Sequence, residues 1–483
     1  QLRAMSKPSP QTAVPEPPVT TGAPPASADQ DFELYVEVRH RSLVRRLFTI
    51  YRHVLGLVFG GLAAYMRSLP RGRRHGFKYW GLRLTAILSY PFINKKLARQ
   101  PFPVQLRKRL EALGPTYVKL GQILALREDV LPREITDELK NLLEILPALP
   151  FSRFVELVSE ELKRPVDELF SWIEPLPMGS ASIGQTHRAT TLDGESVVLK
   201  LVKPGIPETI RQDVALLKIL GSFLQVFLSR YQPKRMIREF CAYTLKEVDL
   251  RNEAENAETF SANFRDKPEI VFPEIYRRFT TKNLLVMEFL PGLPPNNPAV
   301  QALSSTERDR IIDIGADAII QMLYKDGFFH ADLHPGNLLV LPGPKDGFID
   351  LGMVGRFDDD LRRTLLYYYY CLVMGDAANA ARYLASIAEC GRGCDRKGFR
   401  RDVEEICRRW QRNSTFEGFS IAQLIMESVG RAANYRMYMP VEMVLLVKAM
   451  VTFEAVGHLL QPGFDVAEVS KPYIRGIFIN QFN

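Results

Sequence analysis

Cysteine is scarce: the 483-residue chain carries five, Cys241, Cys371, Cys390, Cys394 and Cys407. An odd, scattered set argues against a disulfide-stapled secreted scaffold, and a reducing compartment fits it best. Cys390 and Cys394 stand close together in CGRGC. That spacing permits a metal or redox pair, but in surroundings read as helical it favours two ordinary thiols. No secretory signal pattern opens the chain; residues 1–30 are rich in Pro, Ala, Ser and Thr and read as a disordered tail. No segment recurs at a fixed period, which argues against a solenoid. No GxxxxGK[ST] stretch occurs, which argues against a P-loop NTPase, and no GxGxxG occurs either.

What is present begins with charge. The net formal charge is +8, which asks for an acidic partner. Basic residues crowd both sides of the apolar stretch 47–66: Arg41, Arg45 and Arg46 before it, Arg67, Arg71, Arg73, Arg74 and Lys78 after it. About nine large apolar side chains favour membrane insertion by roughly 3 to 5 kcal/mol. Arg52 costs up to about 3 kcal/mol, and glycines and His53 weaken the case further. The sum is near zero. A helix lying on an anionic membrane surface is expected, with two alternatives: a single N-terminal anchor, or a helix packed on the protein's own core. Nucleic acid is a poor candidate partner, since the basic residues alternate with apolar ones and no nucleic-acid module is recognisable.

The pattern then divides the chain. Residues 31–165 read as a helical extension, 166–292 as a small mixed lobe and 293–483 as a larger helical lobe, an α+β architecture. FSWIEPLP, IGQTHRATTL and SVVLKLVKP read as strands, the last two joined by a hairpin turn at Asp193 and Gly194. Long helices are expected near 205–228 and 233–262, then strands at EIYRRFT and NLLVMEFL. The cysteines from 371 to 407 and the helices over 418–460 read as structural, without chemistry.

Several residues carry a chemical pattern. In HADLHPGN, Asp332 and Asn337 are five apart in a turn made by Pro335 and Gly336. Phosphoryl transfer uses a carboxylate near the acceptor and an amide oxygen for Mg²⁺ at this spacing. Thirteen residues on, FIDLG places Asp350 at a strand end, where the main Mg²⁺ ligand of a kinase-like site stands. Lys200 closes the apolar strand VVLK; buried there it needs a partner, and Glu253 is the candidate. Lys203 competes for the role, but Pro204 puts it at the strand's exit. PMGSASIGQTH, with Gly179, Ser180, Ala181 and Ser182, takes the place of a glycine-rich phosphate loop. Glu288, within the NLLVMEFL segment, is counted with the cofactor-binding residues. One competing reading makes His330, Asp332 and His334 metal ligands of a hydrolase.

Taken in order, KLGQ (Lys119 to Gln122), SASIGQTH, Lys200, EVD (Glu247 to Asp249) with Glu253, HADLHPGN and IDLGMVGR resemble the UbiB family, the AarF or ADCK-like atypical kinases. The resemblance covers about 100–360. It implies a protein-kinase-like bilobal fold whose N-terminal helical KxGQ extension closes over the site. It also implies ATP or ADP with Mg²⁺, ATPase or phosphotransferase activity rather than protein phosphorylation, membranes, and quinone or other isoprenoid-lipid metabolism and its proteins. By motif, Lys200 meets the phosphates with Glu253, Asp332 is the catalytic-loop carboxylate, and Asn337 and Asp350 hold Mg²⁺. Lys119, Gln122, Glu247 and Asp249 belong to the closure. A nucleotide-binding pseudokinase without turnover is the alternative. Two departures stand out: Gly179 and Ser180 replace the family's Ala-rich loop, and the transmembrane hairpin that ends many bacterial members is not seen before residue 483. Because Asp249 and Glu253 are four apart and share a helix face, Asp249 is expected beside Glu253 towards the site. Glu247 is expected to reach elsewhere, to Arg251 or the extension.

Overall fold

Alternation along one strand organises the small lobe. The computed structural model describes residues 43–68, 80, 84, 97, 99–125, 131–142, 148–181, 183–227, 233–413 and 420–480, so the 1–30 tail lies outside the described residues. In the extension, α1 (Leu43–Ser68), α2 (Phe102–Leu113), α3 (Pro115–Ala125) and α4 (Arg133–Leu139) precede α5 (Phe151–Leu162). Strands β1 (Phe170–Ile173), β2 (Gly179–Ser180), β3 (Gly184–Thr191) and β4 (Ser196–Val202) follow, then helices α6 (Ile206–Phe227), α7 (Pro233–Glu247) and α8 (Leu250–Asn263). After β5 (Ile270–Val271), β6 (Leu284–Glu288) completes an antiparallel sheet in the order β1-β3-β4-β6, with β2 paired to β3. Val197, Leu199 and Leu201 of β4 point to one face, against Phe154 and Val158 of α5. Val198 and Val202 point to the other, against Leu250 and Ala254 of α8. Period two therefore aims Lys200, between them, at α8.

The extension is bound to this lobe by its own polar groups. Arg46 on α1 makes two 2.6 Å bonds to Asp213 on α6 and a 2.7 Å bond to the Leu113 carbonyl of α2. Gly56 and Gly60, four apart on α1, let α2 come close: a Cβ at either would collide with the side chain of Arg109 or Gln105. One face of α1 is thus packed on the protein, as the core-packed alternative has it. Val44, Leu47, Phe48 and Tyr51 remain exposed on the other face.

The large lobe is built on α9 (Ser305–Ile320). A π-helical turn over Gln321–Asp326 and Gly327 at φ 62° turn the chain into β7 (Phe328–His330). Strands β8 (Leu338–Leu341) and β9 (Lys345–Phe348) pair with each other, β9 also pairs with β5, and β10 (Val354–Arg356) pairs with β7. Then come α10 (Asp359–Val373), α11 (Ala377–Ile387), β11 (Glu389–Cys390), α12 (Arg396–Asn413), α13 (Ile421–Gly430), β12 (Met437–Tyr438), α14 (Val441–Leu460) and α15 (Val466–Asn480). Among the described residues α14 alone is long and apolar enough to cross a membrane, yet 61% of its apolar window is buried in protein.

Four local expectations change. The helix expected over 233–262 is two helices, because Asp249 breaks it as an N-cap, accepting the Arg251 N–H at 3.2 Å. EIYRRFT forms no strand; it has a bridge from Ile275 to Met287 and a 3₁₀ turn at Arg277–Phe279, with Arg277 held to Glu258 at 2.6 Å. Cys390 and Cys394 are not two thiols in a helix: they form a disulfide, their Cα atoms 5.5 Å apart. Gly391 and Gly393, the latter at φ 73°, interrupt helical geometry between them and allow the turn. Finally, α14, read as structural only, also brings Lys448 to the cavity described below.

Candidate active site

The site lies between the two lobes and under the extension. Lys200 is its centre. Its ammonium donates to both Glu253 oxygens at 2.9 Å and to Asp350 Oδ1 at 2.8 Å. Burial alone would lower the Lys200 ammonium, but Asp350 and Glu253 outweigh it and hold the group above its ordinary range. Lys200 in turn holds Asp350 well below the usual carboxylate range, against burial. Glu253 is pushed up by burial, an effect that Lys200 opposes and the Asp350 charge reinforces.

Asp350 stands just after β9 with φ +53°, a left-handed backbone that costs a non-glycine residue on the order of 1–3 kcal/mol. Its place is set through the catalytic loop. The Ile349 N–H donates to the Asn337 carbonyl at 3.0 Å, and the Asn337 side-chain amide donates to the Asp332 carbonyl at 3.0 Å. His330 is fully buried; its Nδ1 accepts the Asp332 N–H at 3.0 Å while its Nε2 donates to the Ile349 carbonyl at 3.1 Å. His334 Nδ1 accepts the Gly336 N–H at 3.0 Å. These histidines are occupied by backbone, and no group of three His, Cys, Asp or Glu suited to a metal occurs among the described residues. The metal-hydrolase reading therefore fails.

On the other wall, β2 and β3 form the hairpin expected to face phosphate. Lys203 reaches back under it, its amine donating to Ser180 Oγ at 2.8 Å and the Ala181 carbonyl at 3.0 Å. Burial pushes the Lys203 amine down to about 8. So Lys203, at the exit of β4, braces the loop. Ser182 lies outside the described residues. Glu288 ends β6, with its carboxylate accepting the Glu274 N–H at 3.2 Å.

The extension closes the cleft through Lys119 of α3, whose amine meets Glu247 at the end of α7 at 2.6 Å. Both side chains are largely buried. Of the two directions open to Glu247, it takes the one to the extension. Asp249 departs from the expectation. Its carboxylate binds Arg251 at 2.7 and 2.9 Å rather than lying beside Glu253, because the helix break removes the shared face that the spacing assumed. One continuous cavity of about 1460 Å³ joins Lys119, Gln122, Gly179, Ser180, Ala181, Lys200, Glu247, Glu253, Glu288, Asp332, Asn337 and Asp350, and leaves Asp249 out.

Two further side chains reach this cavity without a motif to announce them. Lys448 of α14 forms a 2.9 Å ion pair with Asp332 and approaches the Met353 sulfur at 3.2 Å. Its one signal in the sequence is a lysine inside the apolar run MVLLVKAMV. The Tyr243 hydroxyl is buried without a hydrogen-bond partner. Burial and the charges of Glu247, Asp332 and Asp350 push it well above its usual range.

Comparison with known proteins agrees with this geometry. The profile of the ABC1 atypical kinase-like domain matches residues 141–384, and that of the UbiB helical domain matches 403–465. A protein of Marinobacter nauticus named Probable protein kinase UbiB is 31% identical over 79% of this chain and 71% of its own length. The like-named protein of Azotobacter vinelandii is 30% identical over 89% and 80%. The Arabidopsis thaliana chloroplastic protein Activity of bc1 complex kinase 7 is 30% identical over 79% of this chain but 55% of its own. A solved Mycobacterium tuberculosis structure, Rv3197 in complex with erythromycin, superposes with a TM-score of 0.52 at 24% identity, covering 82% of this chain and 98% of its own, and supports the fold. With its bilobal kinase-like architecture and a helical extension latched over the cleft, the chain belongs to the ABC1/UbiB family of atypical kinase-like proteins.

Proposed function

We propose that this protein is a Mg²⁺-dependent ATPase or phosphotransferase that works at a membrane surface in support of ubiquinone or other isoprenoid-lipid metabolism. The observation that carries the reading is the Lys200 ammonium shared between Glu253 and Asp350 at 2.8–2.9 Å, in one cavity with Asp332 and Asn337. Mg²⁺ bound with ATP or ADP supplies the charge neutralisation that phosphoryl transfer requires. The donors fit such an ion: Asp350 is a half-exposed carboxylate, and the bond from the Asn337 amide nitrogen leaves its oxygen to face a cation. Lys200, held by Glu253, would bind phosphate oxygens. Asp332 would accept the proton of the acceptor. The Lys119–Glu247 pair would exclude bulky acceptors such as a folded protein segment. The membrane part rests on the exposed apolar side chains Val44, Leu47, Phe48 and Tyr51 of α1 and Ile219, Phe223 and Val226 of α6, in a chain of net charge +8. A peripheral place on the cytoplasmic face suits it.

The test is phosphate release from Mg²⁺-ATP by the full chain, with and without cardiolipin liposomes and with excess EDTA. Slow turnover that EDTA abolishes and liposomes accelerate is expected. Turnover indifferent to liposomes would remove the membrane from the proposal. Absence of turnover in every condition would favour the pseudokinase reading, which one observation supports: Lys448 occupies the carboxylate of Asp332.

Lys448 supplies a further prediction. A cation beside Asp332 stands where negative charge accumulates during transfer, and a preorganised donor of this kind is worth about 10²-fold in turnover. Lys448→Met is expected to lower kcat by about that factor while nucleotide affinity, read by thermal shift, changes less than about twofold, with Lys448→Arg recovering part of the rate. Faster turnover in Lys448→Met would instead identify the pair as an inhibitory clamp.

A further inference from the structure

The cavity is larger than a nucleotide requires. At about 1460 Å³ it exceeds the range of roughly 300–1000 Å³ usual for one small ligand. Beyond the phosphate-facing residues it continues beneath the extension into an apolar chamber. Leu106 of α2, Ile123 of α3, Leu220 of α6 and Met236 of α7 are among its walls.

Polar side chains among the cavity's lining include His53 on α1 and Arg109 on α2. Arg109 is only 6% exposed. Its Nε and Nη2, and His53 Nδ1, are buried without a hydrogen-bond partner among the described residues. Such atoms are uncommon in folded proteins, and an unpaired buried guanidinium more so. No carboxylate among the described residues pairs with Arg109, and burial lowers it. Neighbouring Arg46 is taken by Asp213. Packing gives no reason to keep this charge either, since its guanidinium crowds the place where a Cβ at Gly56 of α1 would stand. A buried cation with free donors, beside an empty apolar chamber, is complementary to an anion that carries a hydrocarbon chain.

We infer that the helical extension holds a binding site for a single-chain anionic amphiphile. Its carboxylate or phosphate head takes the donors of Arg109 beside His53, and its tail fills the chamber between α3, α6 and α7. The site needs neither nucleotide nor turnover, so it stands or falls separately from the phosphoryl-transfer reading.

Calorimetric titration of the full chain, free of nucleotide, with dodecyl phosphate below its critical micelle concentration tests it. One molecule per chain is expected to bind, and Arg109→Met is expected to weaken binding at least about tenfold. Inorganic phosphate and dodecanol, which present head and tail separately, are each expected to bind at least about tenfold more weakly than dodecyl phosphate. Ligand-free Arg109→Met is expected to resist urea as well as or better than wild type, because the substitution removes an uncompensated charge. Equal dodecyl phosphate affinity in wild type and Arg109→Met would overturn the inference. So would phosphate binding as tightly as the amphiphile, which would mark a plain anion site, or a ligand-free Arg109→Met protein less stable than wild type, which would make Arg109 structural.

Discussion

Asp350→Asn is expected to abolish phosphate release from Mg²⁺-ATP while leaving the fold intact. The two halves of that expectation have separate grounds. Asp350 sits at φ +53°, a conformation that asparagine adopts more readily than most residues, so the backbone is kept. An amide oxygen can still accept from Lys200, and the Lys200–Glu253 pair remains. What disappears is the negative charge. Lys200 keeps Asp350 far below the ordinary carboxylate range, so that charge is present throughout the neutral range and titrates away only in strong acid. Removing a charge from the centre of an electrostatic site costs at least about 10²–10³-fold in rate. Phosphate release at saturating Mg²⁺-ATP, with urea unfolding as the control, measures both halves. Turnover within about tenfold of wild type in a folded Asp350→Asn protein would take Asp350 out of the chemistry.

Lys200→Met should cost stability as well as activity. The Glu253 side chain is 7% exposed, and its cation is Lys200 at 2.9 Å. Removing one partner of a buried pair strands the other, at a cost of about 3–5 kcal/mol. The stranded carboxyl, with Asp350 nearby, would take up a proton. A carboxyl whose folded pKa lies above its unfolded value binds more protons folded than unfolded. Stability of Lys200→Met should therefore fall as pH rises from the ordinary glutamate range through the raised folded value. The double variant Lys200→Met with Glu253→Gln replaces the stranded charge by a neutral group. It is expected to recover most of the lost stability, lose the pH dependence and remain inactive. Urea denaturation of the three proteins between pH 5 and about 8 reads the cycle. A single variant as stable as wild type, or a double variant less stable than the single one, would show that Glu253 does not depend on Lys200.

Residues whose chemistry is written in short spacing were readable before any coordinates. Asp332 and Asn337 lie five apart on one turn, and Lys200 lies within a strand whose alternation turns it from the sheet core. Asp249 shows where this fails. Four-residue spacing to Glu253 implied one helix face, but the same residue is a good N-cap, and capping broke the helix. The Cys390–Cys394 bridge was misjudged because the stretch was read as helix, while the two glycines between the cysteines make a turn.

The sequence by itself determined the kinase-like fold class, the order of the motifs and Lys200, Asp332, Asn337 and Asp350 as candidates, because each follows from local periodicity or spacing that needs no distant partner. Only the tertiary structure decided that Lys119 would meet Glu247, 128 positions away, that Lys448 of a C-terminal helix would reach Asp332, and that Arg109 would be left without a counter-ion. Those outcomes depend on which helix faces pack together and which charges lose water when they do, and no short stretch of sequence carries that information.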